Sequence, residues 1–180
     1  MVERINKNLK NLSISGIRRF TAFAMATEGC VALTIGEPDM DTPLPIRQAA
    51  MEALQAGDTH YTANQGTMKL RSGIADYEAR TRGLDYCPDE IIVTAGATEA
   101  IYCALTGILN PGDEVIIPVP AFGLYETVTR LAGAVPVHLN TARSGFRLTY
   151  DELAKAITPR TKALILNSPN NPTGAVYTKE

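Results

Sequence analysis

Tryptophan is absent from this chain of 180 residues, and histidine occurs only twice. His60 and His138 are too few and too isolated to build a metal centre or a Ser/His nucleophile system. Cysteine is scarce as well: Cys30, Cys87 and Cys103 are unclustered and form no CxxC pair. That argues against a zinc site and a disulfide framework, and fits a reducing, cytoplasmic setting. Positive charge is not in excess, with 17 Lys and Arg against 19 Asp and Glu. A net charge of −2 gives no basic field for nucleic acid or an anionic membrane surface. No apolar stretch approaches the ~20 residues that span a bilayer. A nucleotide-binding doubly wound domain would need a GxGxxG or GxxxxGK[ST] loop, and neither is present. Repeats, low-complexity tracts and long charge runs are missing too.

What is present is 45% apolar residues, enough for a buried core and for one domain or slightly more. Residues 18–26 mimic a secretory signal, with Arg18 and Arg19 before a short apolar run that contains an A-x-A triplet. That run is only about seven residues long and is interrupted by Thr21. An amphipathic helix with Ile17, Phe20 and Ala24 on one face explains it better. Residues 1–30 thus read as a helical arm broken at 13–16, followed by a short strand at 31–35. Thr42-Pro43-Leu44-Pro45 is expected to hold off helix until Ile46, after which apolar residues recur at helical spacing as far as Gly57. A further helix is expected after Gly66-Thr67, running to about Arg82, with Gly83 ending it.

Beyond that point the pattern alternates. Strands are expected at 91–95, 114–118, 135–139 and 162–166, with helices at 98–109, 122–132 and 149–157 between them. Such alternation indicates an α/β fold: three layers, α/β/α, around a mainly parallel sheet with right-handed crossovers. Val115-Ile116-Ile117 is a continuous apolar run, as expected of a strand covered on both faces.

Three junctions carry chemistry. Gly96-Ala97-Thr98 lies where an expected strand meets a helix N-terminus, which makes it either an ordinary βα turn or an anion site built from free amides and the helix dipole. Pro120-Ala121-Phe122 follows the next strand at the same carboxyl edge; Phe122 could pack into the core or lie over a planar ring. Asn171-Pro172-Thr173-Gly174 is a Pro-Gly turn after the last strand, and Pro172 excludes Asn171 as a glycosylation acceptor. Asn167 is expected to satisfy backbone groups at the strand end. Glu37 and Asp39 flank a proline in Gly36-Glu37-Pro38-Asp39, a composition that favours capping and solvation over a paired-carboxylate acid/base site.

These segments, in this order and at these separations, resemble the class I/II aminotransferases, fold type I enzymes that use pyridoxal 5′-phosphate (PLP). The resemblance runs the whole length of the chain. It implies that the Ala97 and Thr98 amides beside Gly96 hold the PLP phosphate, and that Phe122 stacks on the pyridine ring where many relatives have Tyr or Trp. It implies that Asn171 donates to the cofactor's phenolic oxygen and comes near the substrate carboxylate. Gly36 matches the position whose amide meets that carboxylate, and Ile17 the mobile piece that closes over substrate. Tyr61 matches a tyrosine that reaches a neighbouring subunit's phosphate; as a residue alone it also reads as a half-buried loop tyrosine. Residues 1–45 are then the N-terminal arm and small-domain segment, and 46–180 the N-terminal part of the large PLP-binding domain.

The implied whole is a cytoplasmic homodimer that exchanges an amino group between an L-amino acid and a 2-oxo acid, with no metal. Lys69, Lys155, Lys162 and Lys179 lack the Ser-x-x-Lys or similar context of the family's Schiff-base lysine, so no catalytic residue is assigned here. The 180 residues alone are expected to be inactive and to fold poorly. Thr178-Lys179-Glu180 reads as a helix start, from which the chain is expected to be cut. The alternatives are a PLP-dependent lyase for carbon–sulfur bonds and a non-catalytic aminotransferase-like module. The start at Met1, with no helix-turn-helix ahead of it, counts against the module.

Overall fold

The computed structural model describes residues 6–9 and 16–178, with Arg18 as backbone only. The expected helix break at 13–15 and the helix opening at 179–180 lie outside the described residues. The chain divides into two compact units, Met1–Ser15 with Ala95–Glu180 and Gly16–Thr94.

The first unit is an α/β layer structure. Helix α4 (Ala97–Ile108) follows three earlier helices in the chain and leads, through a turn in which the Asn110 amide donates to Asp113 Oδ2, into strand β1 (Glu114–Val119). Helix α5 (Leu124–Leu131), strand β2 (Val135–Asn140), helix α6 (Tyr150–Ala156) and strand β3 (Thr161–Leu164) complete the alternation. All pairings are parallel and β1 is central, in the order β2-β1-β3. Val115, Ile116 and Ile117 are buried, as the continuous apolar run requires of a strand covered on both faces. Val115 and Ile117 join Leu105, Leu109, Val128 and Ala134 in the core, so α4 and α5 cover one face of the sheet. Each valine, leucine or isoleucine among them contributes about 1.5–3 kcal/mol on burial.

Local chemistry sets the helix ends. Thr149 Oγ1 accepts from the Glu152 amide, and Glu152 accepts in return from the Thr149 amide and hydroxyl, a reciprocal cap that opens α6. Those bonds from Thr149 hold the Glu152 carboxyl below its ordinary range.

In the second unit, α1 (Gly16–Met25), α2 (Leu44–Gln55) and α3 (Met68–Arg82) are the α-helices among the described residues, and a 3-10 turn spans Pro88–Glu90. Thr67 caps α3 through Leu70, and Gly83 closes it at φ 67°, a left-handed position that suits glycine. The apolar faces of α1 and α2 are largely open: Phe20 is 69% exposed, and Ile17, Ile46 and Leu54 are also exposed. No helix among the described residues is long and apolar enough to cross a membrane.

Several expectations need correction. Residues 91–95 and 31–35 are not strands, because neither has a ladder partner in the three-stranded sheet. Apolar, β-branched composition favours extended backbone, but only a neighbour turns it into a strand. Helix α2 begins at Leu44, with Pro45 in its first turn, where a missing N–H costs no helical hydrogen bond. Helix α5 begins two residues later than expected, at Leu124. Strand β3 ends at Leu164, although the Ile165 amide still donates to Ile116 O at 3.0 Å.

A buried carboxylate fastens the start of β1 to the approach to β3. Glu114 accepts from Thr158 Oγ1 at 2.6 Å and from Arg160 Nε at 2.9 Å, with a second guanidinium contact through Nη2. The Thr158 hydroxyl first, then the Arg160 guanidinium, hold the Glu114 carboxyl below its ordinary value of 4.5, against a smaller upward push from burial. A depressed folded value means this contribution is complete above the ordinary glutamate range and lost as pH falls through the depressed value. Glu114→Gln is therefore expected to lower stability near neutral pH and to converge with the parent below pH 4.5. Thermal melts across that range check it; a constant difference between the two proteins at all pH values would refute it.

Candidate active site

The N-terminus of α4 is shaped by one glycine. Gly96 sits at φ 87°, ψ 167°, a conformation open essentially to glycine alone, and it precedes the first helical residue, Ala97. Helix geometry leaves the first amides, those of Ala97 and Thr98, without intrahelical acceptors, and the helix dipole adds partial positive charge there. Glu99 turns back, its Oε2 accepting from the Ala95 amide. Residues 96–98 are exposed, and a Cβ placed on Gly96 would meet nothing within 4 Å. An anion can therefore reach these amides.

Two further turns meet at the carboxyl edge of the sheet. β1 ends at Val119 and passes through a cis Val119–Pro120 bond to Phe122. Phe122 is 43% exposed and meets Tyr125 edge-on, with ring centroids 5.9 Å apart at 90°. Packing thus fixes the ring but does not bury it. β3 runs into the turn 167–175, where Asn170 Nδ2 donates to Pro120 O at 3.1 Å and to Thr173 Oγ1 at 2.8 Å. Because β1 and β3 are parallel neighbours, that bond joins the two turns over one sheet edge. Asn171 itself is exposed, its amide donating to Asn167 Oδ1 at 2.8 Å. The backbone group that the Asn167 side chain satisfies is thus in the turn itself, not at the strand end as expected, since β3 ends at Leu164. A small cavity beneath the two turns is lined in part by Ile117, Pro120, Tyr125, Asn167, Asn170 and Tyr177. Tyr177 OH in turn accepts from the Leu148 amide.

Asn170 was legible only as half of an Asn-Asn doublet; its role as the tie between two turns was not. In an open α/β sheet, ligands bind outside the carboxyl ends of the strands. Phe122 and Asn171 both follow such ends. Gly96 begins the helix whose Leu105 packs into the same core as β1.

Gly36, Ile17 and Tyr61 belong to the second unit. Ile17 lies exposed on α1, and Thr21 of that helix donates to Thr34 Oγ1 at 2.7 Å, which ties α1 to the stretch leading into Gly36. Gly36 is exposed, with open space where a Cβ would stand. Tyr61 is fully exposed rather than half-buried. Among the described residues, no group of His, Cys, Asp and Glu could hold a metal ion.

The family model described as aminotransferase class I and II matches residues 28–180. The aspartate aminotransferase of Bacillus sp. (strain YM-2) is 42% identical over 100% of this chain and 47% of its own length. Aromatic-amino-acid aminotransferase 2 of Thermococcus litoralis is 43% identical over 98% of this chain and 46% of its own. The solved aspartate aminotransferase of Thermus thermophilus with maleate superposes with a TM-score of 0.92 at 41% identity, over 97% of this chain and 47% of that one. The chain spans about half the length of the curated relatives it matches.

Proposed function

The chain belongs to the class I and II aminotransferase family, and on that premise we propose that the full-length protein is a PLP-dependent aminotransferase moving an amino group between an L-amino acid and a 2-oxo acid. The observation that carries the reading is the bond from Asn170 to Pro120 O, which joins the turns bearing Phe122 and Asn171 at one carboxyl edge of the sheet. The residues suit a flat, phosphorylated heteroaromatic: a helix N-terminus behind a glycine-only turn, an aromatic ring fixed but exposed, and an exposed amide side chain.

In this reading the Ala97 and Thr98 amides, beside Gly96, hold the cofactor phosphate. Phe122 lies against its ring, and Asn171 donates to its phenolic oxygen. When bound, PLP supplies an electron sink for charge that develops at the substrate's α-carbon. Asn171 and the Gly36 amide orient the substrate carboxylate, Ile17 helps to exclude water over it, and Tyr61 reaches the phosphate held by a second copy in a homodimer. Residues 1–45 serve as arm and small-domain segment, and 46–180 as the first part of the large domain. A cytoplasmic enzyme of amino acid metabolism is the corresponding setting. Proton transfer at the α-carbon requires a lysine in the family's context, and none of Lys7, Lys10, Lys69, Lys155, Lys162 and Lys179 provides it. The 180 residues by themselves are therefore expected to lack turnover.

The test is an assay of the full-length protein with PLP, amino donors and a 2-oxo acid acceptor, followed through appearance of the new 2-oxo acid. Asn171→Ala is expected to lower kcat/KM by about 100-fold, the order found when one preorganised donor is removed. Release of ammonia and a 2-oxo acid without any acceptor would favour the lyase reading instead, and binding of PLP without either reaction would favour a non-catalytic module.

A further inference from the structure

Arg71 is a buried cation in the second unit, 6% exposed in the first turn of α3. Its guanidinium spreads over two separate stretches of chain. Nε donates to Gly66 O at 3.3 Å, while Nη1 donates to Pro88 O at 2.7 Å and to Asp89 Oδ1 at 3.1 Å. Asp89 is itself 80% exposed, so the neutralising carboxylate stands at the surface while the charge it balances is buried. Burying a guanidinium carries a desolvation penalty that a well-packed apolar side chain avoids, which makes stability alone a weak reason for an arginine here. The planar fork does what an apolar residue does not: it fixes two carbonyls relative to each other.

The stretch so fixed carries Tyr61. Beyond the bond to Arg71, Gln65 O accepts from the Val93 amide at 2.9 Å, and the Gly66 amide donates to Ala63 O at 2.8 Å. Gly66 sits at φ 96°, and a Cβ there would stand 2.8 Å from Val93 Cγ2. The C-terminal end of the 61–66 loop is therefore pressed against residues 88–93 at several points. Tyr61 lies five residues upstream with its side chain fully exposed, so no packing within the unit sets the ring's position. Its placement is inherited from the backbone of the loop, and Arg71 is the side chain that anchors that loop by hydrogen bond alongside its contacts with Val93.

We propose that Arg71 is a positioning residue for cofactor retention, acting through the loop that bears Tyr61. This rests on the reading of Tyr61 as a phosphate contact made to a second subunit. The test is a double-mutant cycle in the full-length protein, with the PLP dissociation constant measured by equilibrium dialysis and the folded state checked by thermal melting. Tyr61→Phe removes the hydroxyl. Arg71→Lys keeps the charge but loses the fork. Each single variant is expected to weaken PLP binding by about tenfold, and the double variant to bind no more than about twofold worse than Tyr61→Phe alone, the non-additivity of residues acting in series.

If Tyr61→Phe binds PLP as the parent does, the reading of Tyr61 fails and the inference falls with it. If Tyr61→Phe weakens binding while Arg71→Lys is silent or additive, the inference alone fails and the reading of Tyr61 stands. Should Arg71→Lys not yield folded protein, Asp89→Ala, at an exposed partner, takes its place in the cycle with an expected effect of about threefold, judged by the same non-additivity.

Discussion

Gly96→Val is expected to raise the PLP dissociation constant of the full-length protein by about 10- to 100-fold and to lower its melting temperature. The backbone at Gly96, φ 87° and ψ 167°, lies where a side chain costs of the order of 1–3 kcal/mol. A valine either bears that strain or rotates the backbone out of it. Rotation would redirect the first amides of α4, those of Ala97 and Thr98, which follow Gly96. The open space beside Gly96 adds a second effect, because a valine side chain would occupy the approach that an anion needs. Gly96→Ala separates the two: it carries the positive-φ strain without the valine's bulk, so it should also melt below the parent yet retain PLP better than the valine variant. Titration of both variants by cofactor absorbance checks this. Parent-like affinity in Gly96→Val would remove the phosphate site from this turn.

The parts of the fold that are legible in the sequence are those with local causes. Thr67 and Gly83 bound α3 because capping and left-handed closure act within a few residues of the chain. Val115, Ile116 and Ile117 announce a doubly covered strand because their own hydrophobicity demands it. Residues 91–95 read as a strand and are not one, because a ladder depends on a neighbour that local composition does not specify. Pro43 and Pro45 were weighed as helix breakers, whereas only position decides: in the first turn of α2 a proline has no hydrogen bond to lose.

The same division runs through the candidate site. Gly96, Phe122 and Asn171 stand out because each sits at a junction whose residue types are unusual in themselves. Asn170 and Arg71 do not, since what they hold lies far along the chain. Asn170 reaches Pro120, 50 residues away, and Arg71 reaches Pro88, 17 away. Residues expected to touch a ligand have conspicuous local settings, while those that hold the turns in place are recognised by their partners.

Ile117→Ala should be the most destabilising simple truncation at this sheet edge, lowering stability by about 2–5 kcal/mol, against about 0.5–1.5 kcal/mol for Ile117→Val. Ile117 is 2% exposed and packs in the core that α4 and α5 build on β1. It also lines the small cavity under the turns of Pro120 and Asn170, so the space left by its methyl groups adjoins a void already present. Neighbours on that side have little freedom to fill the gap, because Asn170 is held by Pro120 O and Thr173, and Tyr177 by the Leu148 amide. A cavity that does not collapse puts the cost towards the upper end of the range. For a domain of 150–250 residues, 2–5 kcal/mol corresponds to a fall in melting temperature of about 4–20 °C. Because β1 carries the turn that leads to Phe122, the loss should also appear as weaker PLP retention below the melt, which the valine variant should largely spare. An alanine variant melting within a degree or two of the parent would mean that this edge of the sheet does not rest on the core beneath it.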